Sequence, residues 1–200
     1  MNRGIELNVS LILILTVVGV SIAGFAVKAL VNALILSPVR VKSGQIHRLL
    51  TAGWVHADVS HLVFNMFTLY FFANEVVRAI GSPRFLLLYL TAVVIAFVPT
   101  TIRHMNNPRY FSLGASGGVA GVMFSAILLY PGLKLSLMFL PIPIPGFAYA
   151  LAYLAYSAYQ SWRSKDGVNH SAHFAGAIYG SLLTFAFEPQ RVMTTLTHFF

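Results

Sequence analysis

Long apolar runs separated by short polar or proline-bearing breaks dominate the chain. A helix that crosses a bilayer needs roughly 20 mostly apolar residues, and six segments approach that length and character. They are residues 7–36, 60–80, 85–102, 116–129, 146–162 and 171–187. The first is longer than a span requires, so we expect it to be tilted or to end near Lys28. The pattern predicts an all-α membrane protein: a polytopic bundle of six transmembrane helices in one domain over residues 1–200, without a separate soluble domain.

Composition supports this interpretation. Of the 200 residues, 58% are hydrophobic and 9% are charged, whereas soluble proteins average about 25% charged residues. The chain has no cysteine, which excludes disulfides, cysteine-ligated metals and a thiol nucleophile. Covalent chemistry in this chain must therefore use serine, threonine, lysine or a carboxylate.

Thirteen Lys and Arg residues against five Asp and Glu residues give a net charge of +8, and most of the cations are scattered over the predicted loops. Scattered cations between apolar spans indicate contact with anionic lipid headgroups rather than with nucleic acid. Apart from Lys28 inside the first span, seven cations lie after the first, third and fifth spans and five lie on the opposite side. This difference is too small for the positive-inside rule to decide the orientation.

Polar side chains gather at the beginnings of the second, fourth and sixth predicted spans. His56, His61 and Asn65 lie at the start of the second, Ser116 begins the fourth, and His173 lies near the start of the sixth. In a six-span bundle these three spans run in the same direction, so the five side chains share one depth. Polar groups at membrane depth are costly unless they are paired or face water, so this convergence predicts a functional site.

Taken separately, each element has a simpler interpretation. The small residues from Gly114 to Gly121 could form a smooth ridge for helix packing. His173 could be a packing residue or a haem ligand, although a haem bundle usually places paired histidines deep on facing helices. His61 and Asn65 share one helix face and could form half of a metal site, but the sequence has no His-Glu-x-x-His motif, so no metal or other cofactor is predicted.

Taken together, the same residues predict nucleophilic catalysis. A serine hydroxyl needs a neighbouring base, which His173 could supply to Ser116 if the fourth and sixth helices touch. The Asn65 amide, a His61 ring N–H and the Ser116 backbone N–H are candidate donors to an oxyanion. The acidic residues lie at helix ends or in loops, so we predict a Ser-His dyad rather than a triad. These residues are Glu6, Asp58, Glu75, Asp166 and Glu188.

Three motifs make the chain resemble the rhomboid family of intramembrane serine proteases. They are Gly-x-Ser-Gly at 114–117, His56-x₄-His61-x₃-Asn65, and Ala172-His173-x₂-Gly176-x₃-Gly180. The resemblance covers about residues 41–189. It implies Ser116 as nucleophile, His173 as general base, and His61 with Asn65 on the oxyanion side. His56 and Gly114 are implied as additional members of the site motifs.

The resemblance also implies a location and a substrate class. It implies a multi-pass protein of the cell membrane with both termini cytoplasmic and a site that opens toward the extracytoplasmic face. Expected substrates are single-span membrane proteins cut in or near their transmembrane segment, and no nucleic acid partner is expected. The sequence makes no prediction of oligomeric state.

The chain departs from the family pattern at several positions. His47-Arg48 stands where relatives usually have Trp-Arg, which removes an anchoring aromatic from the loop. Ala73 and Val77 replace a usual glycine and glutamate. Ala120 stands four residues after the serine, where many relatives have an aromatic residue that supports the histidine ring.

Two other functions compete with proteolysis. One is a non-proteolytic, rhomboid-like module that binds membrane proteins or takes part in their quality control. Inactive relatives typically lose the serine or histidine, and this chain has both. The other is a six-helix transporter, which would more often show an internal repeat. For the protease, we expect residues 163–170 to cap the site and the fifth helix to act with them as a gate.

Overall fold

A computed structural model describes residues 8–137, 140–163 and 167–199. The chain is mostly helical, with one short antiparallel hairpin. The helices are α1 Val9–Ala26, α2 Lys28–Leu34, α3 Pro38–Lys42, α4 Arg48–Thr51, a 3₁₀ turn Ala52–Trp54, α5 Val59–Ile80, α6 Ser82–His104, α7 Ser116–Leu129, α8 Gly146–Arg163, α9 His170–Phe187 and α10 Pro189–Phe199. The strands are β1 Lys134–Leu137 and β2 Leu140–Pro145.

A helix occupies each of the six predicted spans, and the bounds agree to within three residues after the first span. Within the described residues, α1 and α6 are long and apolar enough to cross a membrane, and α7 is a shorter apolar helix. The helical character is therefore confirmed. The count of six spans stays a prediction.

The first predicted span is divided near Lys28, which agrees with the expectation that its helix ends there and not with the alternative of a single tilted helix. Asn8 caps α1 by accepting a hydrogen bond from the Leu11 N–H, and the helix ends at Ala26. Val27 is extended, with φ −122° and ψ 94°, and α2 then begins at Lys28. A β-branched residue tolerates extended backbone well, and the break falls where the first charge interrupts the apolar run. The predicted start at Leu7 lies outside the described residues.

The all-α expectation is wrong between α7 and α8. β1 and β2 pair antiparallel, with Lys134 opposite Pro145 and Leu135 opposite Ile144. The sequence correctly excluded a regular helix over the prolines at 141, 143 and 145, because proline lacks the N–H that a helix needs. A two-stranded hairpin has only edge strands, which tolerate prolines whose missing N–H faces away from the partner.

α7 lies at the centre of the bundle and packs against α5, α6 and α9. All of its residues except Ser116 and Leu128 are buried. A helix that is apolar on every side belongs in the interior of a fold. Ser116, at its first position, therefore stands at the end of the most enclosed helix.

Glycines bring α7 and α9 into backbone contact. A Cβ on Gly176 would lie 2.1 Å from the Gly117 carbonyl oxygen, and one on Gly180 would lie 2.4 Å from the Gly121 Cα. Real Cβ atoms do not approach other atoms so closely. The predicted contact between these two helices is confirmed, and it requires glycine at both α9 positions.

The loop before α5 is anchored although its expected aromatic is missing. His47 is exposed, whereas Arg48 is buried. The Arg48 guanidinium donates hydrogen bonds to the Asn32 and Ile35 carbonyls at 2.9 and 2.8 Å and to the Gln45 side chain at 2.7 Å. A buried charge is stabilised by such hydrogen bonds, so Arg48 ties this loop to the end of α2.

Candidate active site

Ser116 and His173 lie side by side where α7 and α9 begin. The distance from His173 Nε2 to Ser116 Oγ is 2.8 Å. Both helices begin at this end, so the convergence expected from the sequence is present in the structure. A hydroxyl at this distance from an imidazole nitrogen has the geometry needed for proton transfer between them.

A sharp turn at Gly114 exposes the start of α7 to His61. Gly114 has φ +113°, in the region that only glycine adopts readily. A Cβ there would also lie 2.5 Å from His61 Cε1 and 2.8 Å from His61 Nε2. Backbone conformation and space therefore both select glycine, and the His61 ring packs directly on the turn that precedes Ser116.

A cavity of about 700 Å³ opens in front of these residues. Ser116, His173, His61 and Asn65 all line it. The Asn65 amide nitrogen donates one hydrogen bond of 2.9 Å to the His61 carbonyl, and an asparagine amide carries two N–H groups. The structure thus brings four of the predicted site residues to one cavity.

His56 is buried and forms hydrogen bonds with two other segments of the chain. Its Nε2 accepts a hydrogen bond of 3.2 Å from the Ala115 N–H, and its Nδ1 lies 2.8 Å from Ser21 Oγ on α1. Ser21 Oγ also donates to the Trp54 carbonyl at 2.9 Å. Since a hydroxyl has one proton to donate, His56 must donate from Nδ1 and accept at Nε2. The neutral imidazole therefore holds the residue next to Ser116.

Acid should break this connection. Burial lowers the pKa of His56 to about 4 from its ordinary value of 6.5, with His61 adding to the decrease and Asp58 opposing it. In the unfolded chain the ring takes up a proton at a higher pH, so this stabilisation is complete above pH 6.5 and is lost as the pH falls toward 4. Protonated Nε2 could not accept from the Ala115 N–H.

We expect His56→Gln to remove this part of the acid sensitivity. Glutamine offers a donor and an acceptor but does not titrate. Thermal midpoints of wild type and His56→Gln, measured between pH 4 and 7 in detergent, should diverge, with wild type losing up to about 3 kcal/mol more on acidification. Equal acid slopes in the two proteins would contradict this role of His56.

Asn169 fixes the start of the helix that carries His173. Its side-chain oxygen accepts from the Ala172 N–H at 3.0 Å, as in an N-cap, and from the Thr100 hydroxyl at 2.9 Å. Its amide donates to Ser112 Oγ at 3.1 Å. One side chain therefore joins α6, the loop before α7 and α9, one turn ahead of His173.

Two aromatic neighbours of His173 were not predicted from the sequence. Tyr153 of α8 stacks on the imidazole with ring centroids 6.3 Å apart and an interplanar angle of 24°. His170 of α9 meets it edge to face at 5.8 Å and 76°. The aromatic support that Ala120 cannot provide thus comes from α8. The only sign of this contact in the sequence is that α8 is rich in tyrosine. Tyrosines are common in membrane helices near both interfaces, so this sign is not specific.

The carboxylates in the described part of the chain have other partners. Asp58 caps α5 by accepting from the His61 N–H, Glu75 pairs with Arg78 at 2.9 Å, and Glu188 pairs with Arg84 at 3.1 Å. Glu6 and Asp166 lie outside the described residues, as does part of the expected capping loop. That the site is a Ser-His dyad, with no acidic third residue, therefore stays a prediction.

The part of the chain that forms this site matches a known protein family. The family model for the Rhomboid domain matches residues 43–190. The chain belongs to the rhomboid family. This match includes Ser116, His173 and the three helices α7, α8 and α9 around them, whereas α1 and α2 precede it. Rhomboid membership and the two long apolar helices together support a membrane location.

Named relatives include organellar and bacterial rhomboids. The chain is 31% identical over 169 residues to RHOMBOID-like protein 12, mitochondrial, of Arabidopsis thaliana, covering 76% of this chain and 50% of the relative. It is 32% identical to Presenilin-associated rhomboid-like protein A, mitochondrial, of Danio rerio, over 64% of this chain and 34% of the relative. It is 28% identical to Putative rhomboid protease YdcA of Bacillus subtilis (strain 168), over 72% and 69%. The chain therefore spans a third to a half of the first two relatives.

Proposed function

We propose that the chain is an intramembrane serine endopeptidase with Ser116 as nucleophile and His173 as general base. The observation that carries this proposal is the 2.8 Å separation of His173 Nε2 and Ser116 Oγ at the wall of a cavity. A packing serine has no need of an imidazole nitrogen at this distance, whereas acyl transfer requires it.

The chemistry begins with proton transfer. His173 Nε2 takes the hydroxyl proton as Ser116 Oγ attacks the substrate carbonyl, and the imidazolium then gives that proton to the leaving amine. A water molecule activated by the same nitrogen cleaves the acyl-enzyme. This cycle requires His173 to begin as the neutral tautomer with its proton on Nδ1.

The oxyanion of the tetrahedral intermediate needs donors close to Ser116. The Asn65 amide, a His61 ring N–H and the Ser116 backbone N–H are the candidates, because all three residues line the same cavity. Donors already fixed in place stabilise developing charge without reorganising during the reaction. Gly114 allows the His61 ring to approach, and His56 holds the neighbouring Ala115 N–H.

The proposed substrates are proteins with a single transmembrane helix. The backbone N–H and C=O groups of such a helix are hydrogen-bonded to one another. The helix must therefore unwind locally before Ser116 can reach a carbonyl carbon. Sequences with small residues near the outer end of the span suit this requirement. We place both termini in the cytoplasm and the cavity on the extracytoplasmic side of the cell membrane, and protease protection of terminal tags in oriented vesicles tests that topology.

Cleavage in liposomes tests the function directly. Wild-type protein and Ser116→Ala are incubated with a panel of single-span substrates, and products are mapped by mass spectrometry. Cuts in or beside the transmembrane segment that disappear in Ser116→Ala support the protease. If both proteins bind the substrates equally and neither cuts, the rhomboid-like binding module replaces it.

A further inference from the structure

We propose that Tyr153 is a positioning residue that holds the His173 imidazole toward Ser116, so that the placement of α8 controls whether the dyad is assembled. This inference rests on the proposed protease function and assigns a role to a residue outside the three sequence motifs. It begins from the near-parallel stacking of Tyr153 on His173.

The Tyr153 ring is itself supported on two sides. It meets Phe124 of α7 at a centroid distance of 5.6 Å and Tyr149, one turn earlier on α8, at 6.0 Å. These separations fall in the range of favourable aromatic pairs. A side chain held by such neighbours has few alternative orientations, so it restrains the imidazole on which it stacks.

Ala120 provides the space for this arrangement. It is buried on α7, in the cluster that also contains Phe124 and against which Tyr149 and Tyr153 pack. A large aromatic at position 120 would compete with the Tyr153 ring for that volume. The small Ala120 on α7 therefore leaves room for Tyr153, and the aromatic ring beside His173 comes from α8 instead of α7.

The two aromatic neighbours of His173 differ in how they are attached. His170 lies on α9 itself, so its edge contact moves with His173. Tyr153 lies on α8, which packs less extensively against the bundle than α6 or α7 does. A shift of α8 away from α9 would remove Tyr153 from the imidazole face and leave His170 in place. His173 would then sample more rotamers, and fewer molecules would have Nε2 near Ser116 Oγ.

Labelling with a small fluorophosphonate separates this effect from substrate access. The reagent reacts with an activated serine and does not require a transmembrane substrate to pass α8. Tyr153→Leu should react roughly 3- to 10-fold more slowly than wild type, in line with the strength of an aromatic pair. Its thermal midpoint should stay near that of wild type, and Tyr153→Phe, which keeps the ring, should restore most of the rate.

Two further variants complete the test. Tyr159→Leu removes an exposed tyrosine from the same helix, whose ring meets only Arg163 among the contacts described, and should label at the wild-type rate. Ala120→Phe in a Tyr153→Ala background moves an aromatic to α7 and should recover labelling lost in Tyr153→Ala. If neither Tyr153→Leu nor Tyr153→Ala folds, the double variant is compared with wild type instead. Labelling near the wild-type rate then supports the proposal, and slow labelling of a folded double variant contradicts it.

The outcomes distinguish the two levels of the proposal. If wild type is labelled at Ser116 and Tyr153→Leu is labelled equally fast, Tyr153 does not position His173 and the protease function stands. An equal loss in Tyr159→Leu would also overturn the role of Tyr153, because it would reflect general packing of α8. If wild type is not labelled at all, the proposed function itself fails.

Discussion

Replacing His173 by alanine is expected to lower substrate cleavage and fluorophosphonate labelling by on the order of 10³-fold or more. The reason is the 2.8 Å contact to Ser116 Oγ: without an acceptor for its proton, the hydroxyl is a poor nucleophile. Labelling kinetics in detergent and product formation in liposomes measure the two effects separately.

His47→Ala is the matched control for that substitution. His47 is an exposed histidine immediately before α4 and does not line the cavity, so its loss should leave both rates unchanged. His173→Ala must also keep the wild-type thermal midpoint. A folded His173→Ala protein that cleaves as fast as wild type would show that another group activates the serine.

A single methyl group at Gly176 should damage both stability and activity. The added Cβ of Gly176→Ala would meet the Gly117 carbonyl oxygen at 2.1 Å, so α7 and α9 must separate by about 1 Å to restore normal contact. Overpacking of this kind costs about 1–3 kcal/mol. A displacement of about 1 Å between reacting groups can cost about 100-fold in rate. Thermal unfolding and cleavage assays measure the two losses.

Gly19→Ala is the control for a methyl added to a helical glycine. A Cβ on Gly19 of α1 has no atom within 4 Å, and alanine favours a helix over glycine by roughly 0.5–1 kcal/mol. This variant should be at least as stable as wild type and fully active. If Gly176→Ala behaves like Gly19→Ala, the close backbone contact between α7 and α9 is not required.

The elements that the sequence predicted well are those with a local signal. The predicted fourth span, residues 116–129, coincides with α7 because a continuous apolar run begins after Gly114 and ends before Pro131. The contact between α7 and α9 was predicted from glycines spaced four apart, since such spacing places small residues on one helix face. Ser116 and His173 were found because their flanking glycines form recognisable motifs.

The missed features depend on contacts between residues far apart in the chain. His56 bonds to Ser21 and to Ala115, which are 35 and 59 positions away, and no periodic pattern encodes such pairs. The sequence shows Ala120 as a departure from the family pattern, but its compensation by Tyr153 depends on how α8 packs against α7 and α9. The β1–β2 hairpin was missed because prolines exclude a helix without specifying a strand.

Ser21 also bears on where the functional unit begins. It lies buried within α1, before the matched Rhomboid domain of residues 43–190. A chimaera that joined those residues to the first helix of another protein would keep His56 but could lose the hydroxyl that accepts its Nδ1–H. The donor would then be buried without a partner, which costs about 1–3 kcal/mol. The smallest transplantable unit of this site is therefore larger than the matched domain. A first helix taken from another protein must supply a hydroxyl at the depth of Ser21.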